Sequence, residues 1–500
     1  MDGFVTITVK GGGASKRFAA KKGGSLMSAL VSQGYFVSAP CGGRGRCGKC
    51  KVKLLSGAVD KAQPDAQGFV LSCLARLRED ITVEFAEATG SGLTLSRGAL
   101  AELDGGPGYG IALDIGTTTL AFYLMDLADG REIDAYSCLN PQGAFGADVI
   151  SRISACAEGK LGQLNALIVG KVNEVIAALT EKHGIGGIDK LTACGNTTML
   201  HLFAGEDASL LGVYPFIPAF TEMRRYEGGR LGVRAGEVVL LPSIAAYVGS
   251  DIVAGILSTG MVQQEGSLLI DIGTNGEIAL NAGGKLYCAS TAAGPALEGA
   301  NISCGMGGVA GAIDSARIAG GRLNYTVIGD GEKKGICGSG LIDIISIMLE
   351  LRVIDETGAF CDGAHPGIRD DKFYITGEIF ISQQDVRQFQ LAKSAICAGI
   401  KAIAAKADIS LEDVGKAYVA GGMGYYIDYK NAIRTGLLPK QLDGKIEVVG
   451  NSAGAGAKMC LLSKRQLELS RRIAGSCENV ELSAEPLFME EYVNSMGFEG

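Results

Sequence analysis

Histidine is nearly missing from this chain: among 500 residues there are three, His183, His201 and His365. They lie far apart and are expected to be structural rather than catalytic. Positive charge is also short. With 46 Lys and Arg against 54 Asp and Glu the net charge is −8, which argues against nucleic-acid binding, because such chains usually present a basic face. No run of about 18 uncharged apolar residues occurs, so no membrane span is expected. The opening Met-Asp-Gly-Phe lacks a basic-then-apolar leader. The fourteen cysteines are therefore expected to be cytoplasmic thiols or metal ligands, not a disulfide framework.

What is present describes a large, well-buried chain. Its length calls for about two to four domains. Hydrophobic residues make up 47%, and 75 glycines are spread through strand-like patterns, which implies tight turns rather than disorder.

The organising stretch is Gly110 to Phe122. An apolar run reads as a buried strand; it ends in Asp114, turns at Gly116, and carries Thr117, Thr118 and Thr119 into a second apolar run. Glycine lets backbone N–H groups approach a phosphate, the hydroxyls can donate to its oxygens, and the carboxylate can hold Mg²⁺. The stretch has a twin, Leu268 to Leu280, with Asp271, Gly273, Thr274, Asn275 and Gly276 at matching places. One Asp-x-Gly-Thr is weak evidence; two predict paired lobes that grip one polyphosphate. This duplication resembles the acetate and sugar kinases, heat-shock chaperones and actin, whose two lobes each supply a phosphate hairpin. Lys416 to Tyr425 looks like their adenosine loop, a strand opening into Gly421, Gly422, Met423 and Gly424.

Residues 1–87 form a separate unit. Phe4 to Val9 alternates as a strand, Arg17 to Ala20 is its candidate partner, and Ser25 to Ser32 reads as a short helix. Cys41, Cys47, Cys50 and Cys73 follow with spacing C-x5-C-x2-C-x22-C. Three thiolates in one glycine-rich loop suit a 2Fe–2S cluster; zinc sites more often pair two C-x2-C knuckles. The loop resembles plant- and adrenodoxin-type ferredoxins, which implies a β-grasp fold and an electron carrier near about −400 mV if plant-like. Its first gap is closer to ferredoxin modules fused to reductases. Arg44 and Arg46 either tune the potential, dock an acidic partner, or are solvated loop charge. Residues 88–109 read as a flexible linker with one short helix over Leu95 to Leu103. The first lobe is assigned to 110–262 and the second to 263–500.

Further stretches read as helix starts. Asp148 suits a helix N-terminus. Asn196, Thr197 and Thr198 are either a phosphate-side loop or an N-cap. Asp251 precedes the second hairpin and is a candidate for orienting an attacking water. Gly335 to Asp343 opens a helix that suits an anion, with Ser339 as the expected nucleotide contact. Small residues after Asn451 would let two inter-lobe helices cross closely and act as a hinge. The ten other cysteines, with no C-x-x-C among them, are read as small core residues.

The run Asn140-Pro-Gln to Ile153, Gly195 to Phe203, Gly335 to Asp343 and Gln390 to Ile396 resembles one family over nearly the whole chain. These are the reductive activators of corrinoid-dependent methyltransferases and of the corrinoid iron–sulfur protein. The resemblance implies an N-terminal β-grasp ferredoxin domain followed by a two-lobed actin-like (ribonuclease H-like) ATPase, in an α/β and α+β multidomain chain. It implies a 2Fe–2S cluster, ATP and Mg²⁺ as cofactors and a corrinoid protein as partner. The activity it implies is ATP-driven return of inactive Co(II) to Co(I). Relative to longer members the chain is expected to lack an extended middle region and a C-terminal cysteine-rich domain. Fold analogy also implies a homodimer through the kinase-like lobes. Competing readings are an activator of a 2-hydroxyacyl-CoA dehydratase, which needs no ferredoxin module, a small-molecule kinase with a redox module, and a non-hydrolysing regulatory module.

Overall fold

The computed structural model describes residues 3–11, 14–32, 50–84, 103–146, 148–299, 301–308, 310–320, 322–329, 332–361, 367–421 and 427–498. The N-terminal unit is a five-stranded mixed sheet in the order Ala14–Lys21, Phe4–Gly11, Ile81–Glu84, Lys51–Ser56, Phe69–Leu71. The first strand lies antiparallel to its successor and parallel to Ile81–Glu84, with Ile7 opposite Ile81. Alternation decides its faces: Val5, Ile7 and Val9 are buried with Leu26 and Leu30 of the helix Leu26–Ser32, while Phe4 is 71% exposed. That is the β-grasp arrangement that the ferredoxin resemblance implies.

The remainder is built on two six-stranded sheets of like design. In the first, Glu132–Leu139, Thr119–Asp126 and Tyr109–Ile115 run antiparallel, and Ile188–Gly195 and Ala235–Leu240 continue in parallel before the edge strand Arg224–Glu227. In the second, Lys285–Thr291, Gly276–Ala282 and Ser267–Ile272 repeat the antiparallel set, and Lys416–Ala420 and Ile446–Gly450 repeat the parallel set. Each duplicated motif therefore sits at the same place in its sheet. Central strands read as unbroken apolar runs because helices cover both faces.

Between the sheets lie the helices Ser250–Thr259 and Ser452–Leu462. Their crossing is closed by glycine. A Cβ on Gly456 would stand 2.1 Å from the Ala254 carbonyl oxygen, and one on Gly255 would stand 2.9 Å from the Ser452 hydroxyl. The expected close crossing is present. The helix Ser452–Leu462 lies in a core shared by both sheets, where Ala453, Ala457 and Cys460 pack with Ala112 and Tyr123 of the first and with Leu269 and Tyr418 of the second.

Two other expectations change. The end of the predicted flexible linker is pinned. Asp104 donates its backbone N–H to Leu462 and accepts from the Lys464 N–H at 2.6 Å, and Tyr109 N–H donates to Asp189 at 2.9 Å. The predicted helix at 95–103 lies outside the described residues apart from Leu103. Cys288 and Cys477, read as thiols, are joined in a disulfide. They belong to neighbouring parallel strands, since Cys477–Asn479 pairs with Lys285–Thr291. Cys156, Cys194, Cys337, Cys397 and Cys460 are buried as small core residues, while Cys138, Cys304 and Cys361 are partly exposed. Among the described residues no helix is long and apolar enough to cross a membrane.

Candidate functional site

The two hairpins meet tip to tip. Asp114 is the penultimate residue of its strand, opposite Ala121, and Asp271 is the penultimate residue of its own, opposite Glu277. Gly116 makes the first turn possible, because a Cβ there would stand 2.5 Å from the Thr119 carbonyl oxygen. Thr118 Oγ1 and Thr274 Oγ1 face each other at 3.4 Å. Both donate to one carboxylate oxygen of Glu298, at 2.8 Å from Thr118. Thr117 is buried and accepts from the Asn196 amide at 3.0 Å, whereas Thr119 is exposed. The duplicated motif therefore does bring residues 118 and 274 together across the lobes.

Beneath the hydroxyls is an acidic floor. Asp114 accepts from the Asn451 amide at 2.8 Å. Burial pushes its carboxyl up to about 6, against the pull of that hydrogen bond. Asp251 opens the helix Ser250–Thr259 and is raised to about 7 by burial, with repulsion from Asp114 adding to it. Burial, then repulsion from Asp251 and Asp114, raises Asp271 to about 8. Glu277, buried across the strand pair from Asp271, is raised well above its usual range by burial and by both Asp251 and Asp271. Four carboxyl groups thus resist charging near the hairpins, each chiefly because of burial.

The third motif closes on the same point. Gly421 has φ 109°, and a Cβ there would lie 2.3 Å from the Ile272 carbonyl oxygen and 2.9 Å from Asp271 Oδ1. Gly422, Met423 and Gly424 lie outside the described residues. Gly273 and Asn275 are partly accessible in the second turn; Gly276 backs onto Ile396 of the helix Gln383–Lys406, where a Cβ would stand at 2.8 Å. Ser339, the expected nucleotide contact, is buried, and its hydroxyl donates to the Asp314 carbonyl at 2.7 Å, tying strand to helix.

Several residues at the site carried no assigned role in the sequence reading. Arg152 is fully buried; it donates to the carbonyls of Thr117 at 2.6 Å and Gly146 at 3.1 Å, so it braces the first hairpin from behind. Burial draws its guanidinium down to about 10, opposed by Asp148 and Glu298. Glu277 was legible as the cross-strand neighbour of Asp271. Glu298 and Asn451 were not, because only docking of the lobes places them. The cap readings hold: Asp148 accepts from Ser151 N–H at 2.7 Å and Asn196 from Met199 N–H at 3.0 Å. His201 is structural, bonded to Thr197 O and to the Ala219 N–H.

In the N-terminal unit, Cys50 and Cys73 are buried with their sulfurs 3.1 Å apart. Their shared hydrogen bond draws Cys50 down to about 6 against the effect of burial. Two thiols so placed, one easily ionised, fit adjacent ligands of an iron–sulfur cluster. Cys41, Cys47, Arg44 and Arg46 lie outside the described residues. Among the described residues no group of three or more His, Cys, Asp or Glu is gathered at metal-binding geometry.

Comparison with known proteins agrees with this layout. Residues 9–78 match the 2Fe-2S iron-sulfur cluster binding domain, 109–264 the RACo middle region, and 265–500 the C-terminal domain of RACo, the ASKHA domain. The middle region expected to be missing is therefore present, as the first lobe. Corrinoid activation enzyme RamQ of Eubacterium limosum is 37% identical over 419 residues, 78% of this chain and 70% of that protein. The Co(II) methylated amine-specific corrinoid protein reductase of Methanosarcina barkeri is 28% identical over 72% of this chain and 71% of its own. A solved reductive activator for corrinoid, iron-sulfur protein superposes with TM-score 0.74 at 28% identity, covering 99% of this chain and 98% of that one. The chain belongs to the RACo family of corrinoid-protein activators.

Proposed function

We propose that this protein is an ATP-hydrolysing activator that passes one electron from a 2Fe–2S cluster to a Co(II) corrinoid protein and so regenerates Co(I). The observation that carries this is the union, in one chain, of a close Cys50–Cys73 thiol pair and two phosphate-type hairpins whose Thr118 and Thr274 meet. A cluster module alone shuttles electrons, and a two-lobed nucleotide fold alone splits phosphate; joined, they gate one by the other. Cys41, Cys47, Cys50 and Cys73 hold the cluster. Asp114 and Asp271 act on ATP through Mg²⁺, with Gly116, Thr117, Thr118, Gly273, Thr274 and Asn275 around the phosphates and residues 421–424 under the adenosine.

Nucleotide energy suits the task. Each 100 mV of uphill transfer costs roughly 2.3 kcal/mol, so a gap of a few hundred millivolts is within reach of ATP. The cluster held by Cys41, Cys47, Cys50 and Cys73 would supply the one electron that turns the Co(II) substrate into Co(I), and the paired hairpins would couple ATP binding and hydrolysis to that transfer. A cytoplasmic setting and a homodimer complete the reading.

The test is anaerobic visible spectroscopy of a Co(II) corrinoid protein mixed with the dithionite-reduced protein, with and without Mg-ATP. Co(I) absorbance is expected only with ATP, and Asp114→Ala should abolish it. ATP turnover with no Co(I) from several corrinoid proteins would refute the proposal.

A further inference from the structure

The carboxylate that binds both hairpins is neither Asp114 nor Asp271. Glu298 reaches between the lobes, taking hydrogen bonds from Thr118 and Thr274 at one oxygen. Its position is fixed by its own backbone. It ends the short turn Pro295–Glu298, and Gly299 follows at φ 85°, where a Cβ would lie 2.3 Å from the Met306 carbonyl oxygen. The turn that carries the side chain is thereby held in place. Arg152 and Asp271 both feel its charge, one attractively and one repulsively.

Hydroxyls on phosphate hairpins exist to donate to the terminal phosphate. In the structure both hydroxyls donate to Glu298. A terminal phosphate held by the same two hydroxyls would stand beside the Glu298 carboxylate, and a water between the two anions would donate to the carboxylate and face phosphorus with a lone pair. Asp251 accepts from the Ile252 N–H at 2.9 Å, whereas the hydroxyls of Thr118 and Thr274 donate to Glu298.

Resting on the ATPase reading above, we infer that Glu298 is the general base that orients and deprotonates the hydrolytic water. The water oxygen forms a bond to the terminal phosphorus, and the bond from that phosphorus to the bridging oxygen breaks, leaving ADP with the electron pair. The water proton passes to the Glu298 carboxylate and from there to the released phosphate or solvent.

Glu298→Gln keeps size and can still accept from both hydroxyls, but cannot take a proton. In the full-length, cluster-loaded protein we expect its turnover of ATP to fall about 100-fold, with affinity for a fluorescent ATP analogue unchanged within about threefold or tighter, as a negative charge beside phosphate is lost. Glu298→Asp, which restores a carboxylate one methylene short, should recover part of the rate. Turnover at the unaltered rate in Glu298→Gln would overturn the inference, and so would parallel loss of affinity and turnover, which would make Glu298 a brace for the hairpins. Absence of ATP turnover in the unaltered chain with its corrinoid partner would instead sink the ATPase reading itself.

Discussion

Replacing Gly456 by alanine adds one methyl group where two helices cross, and the structure sets its cost. The new Cβ would stand 2.1, 2.5 and 2.6 Å from the oxygen, carbon and Cα of Ala254, all backbone atoms that no rotamer change can move. Ordinary contact begins at 3.4 Å, so the helices Ser250–Thr259 and Ser452–Leu462 must part by about 1 Å. Overpacking of this kind costs about 1–3 kcal/mol, and a clash with backbone belongs at the upper end. Alanine's better helix propensity returns about 1 kcal/mol, leaving a net loss of about 2. Gly170 is the control: it is an exposed position in the helix Leu161–His183 with nothing within 4 Å of its would-be Cβ, so only the propensity gain applies. Denaturant titration of the two variants should separate them by about 3 kcal/mol, with ATP turnover reduced in Gly456→Ala alone. Equal stability of the two would refute the crossing as described.

Two other outcomes are expected. Asp114, Asp251 and Asp271 are raised to about 6, 7 and 8 in the folded chain, above an unfolded value of about 3.9. The folded form holds these protons more tightly, so the associated stability is fully present below about pH 4 and is lost as pH rises from there through each folded value. The Tm of the protein without nucleotide should therefore fall from about pH 4 and level off at about pH 8, and Mg-ATP should lessen the fall; a Tm that rises over that range contradicts the acidic floor. Cys73→Ser should remove the visible absorbance of the cluster while leaving ATP hydrolysis in place, and retention of the full spectrum would exclude Cys73 as a ligand.

What the sequence revealed follows from the range of each interaction. The hairpins were legible because strand, aspartate, glycine and threonine are consecutive, and the second copy removed the ambiguity of the first. Phe4 to Val9 was legible because a half-buried strand must alternate. Ser339 was harder to read for a physical reason: a glycine-rich helix start looks like an anion site whether its hydroxyl is free or, as here, bound to Asp314. Glu298 and Asn451 gain meaning only when residues remote in sequence meet across lobes. The Cys288–Cys477 disulfide was hidden likewise, since it depends on where Cys477–Asn479 joins the sheet.

The side-chain amide of Asn451 has two ends, and each serves a different body. Its oxygen receives the Gly454 N–H at 2.6 Å and closes the first turn of the helix Ser452–Leu462; its nitrogen holds Asp114 at 2.8 Å. A ligand that claims that Asp114 oxygen takes away one of the amide's two anchors. The helix start then keeps only the remaining one, and this helix lies against the Ala254 backbone at Gly456 too closely to admit a methyl group. One oxygen at the first hairpin and the first turn of an inter-lobe helix are in this way tied by a single side chain.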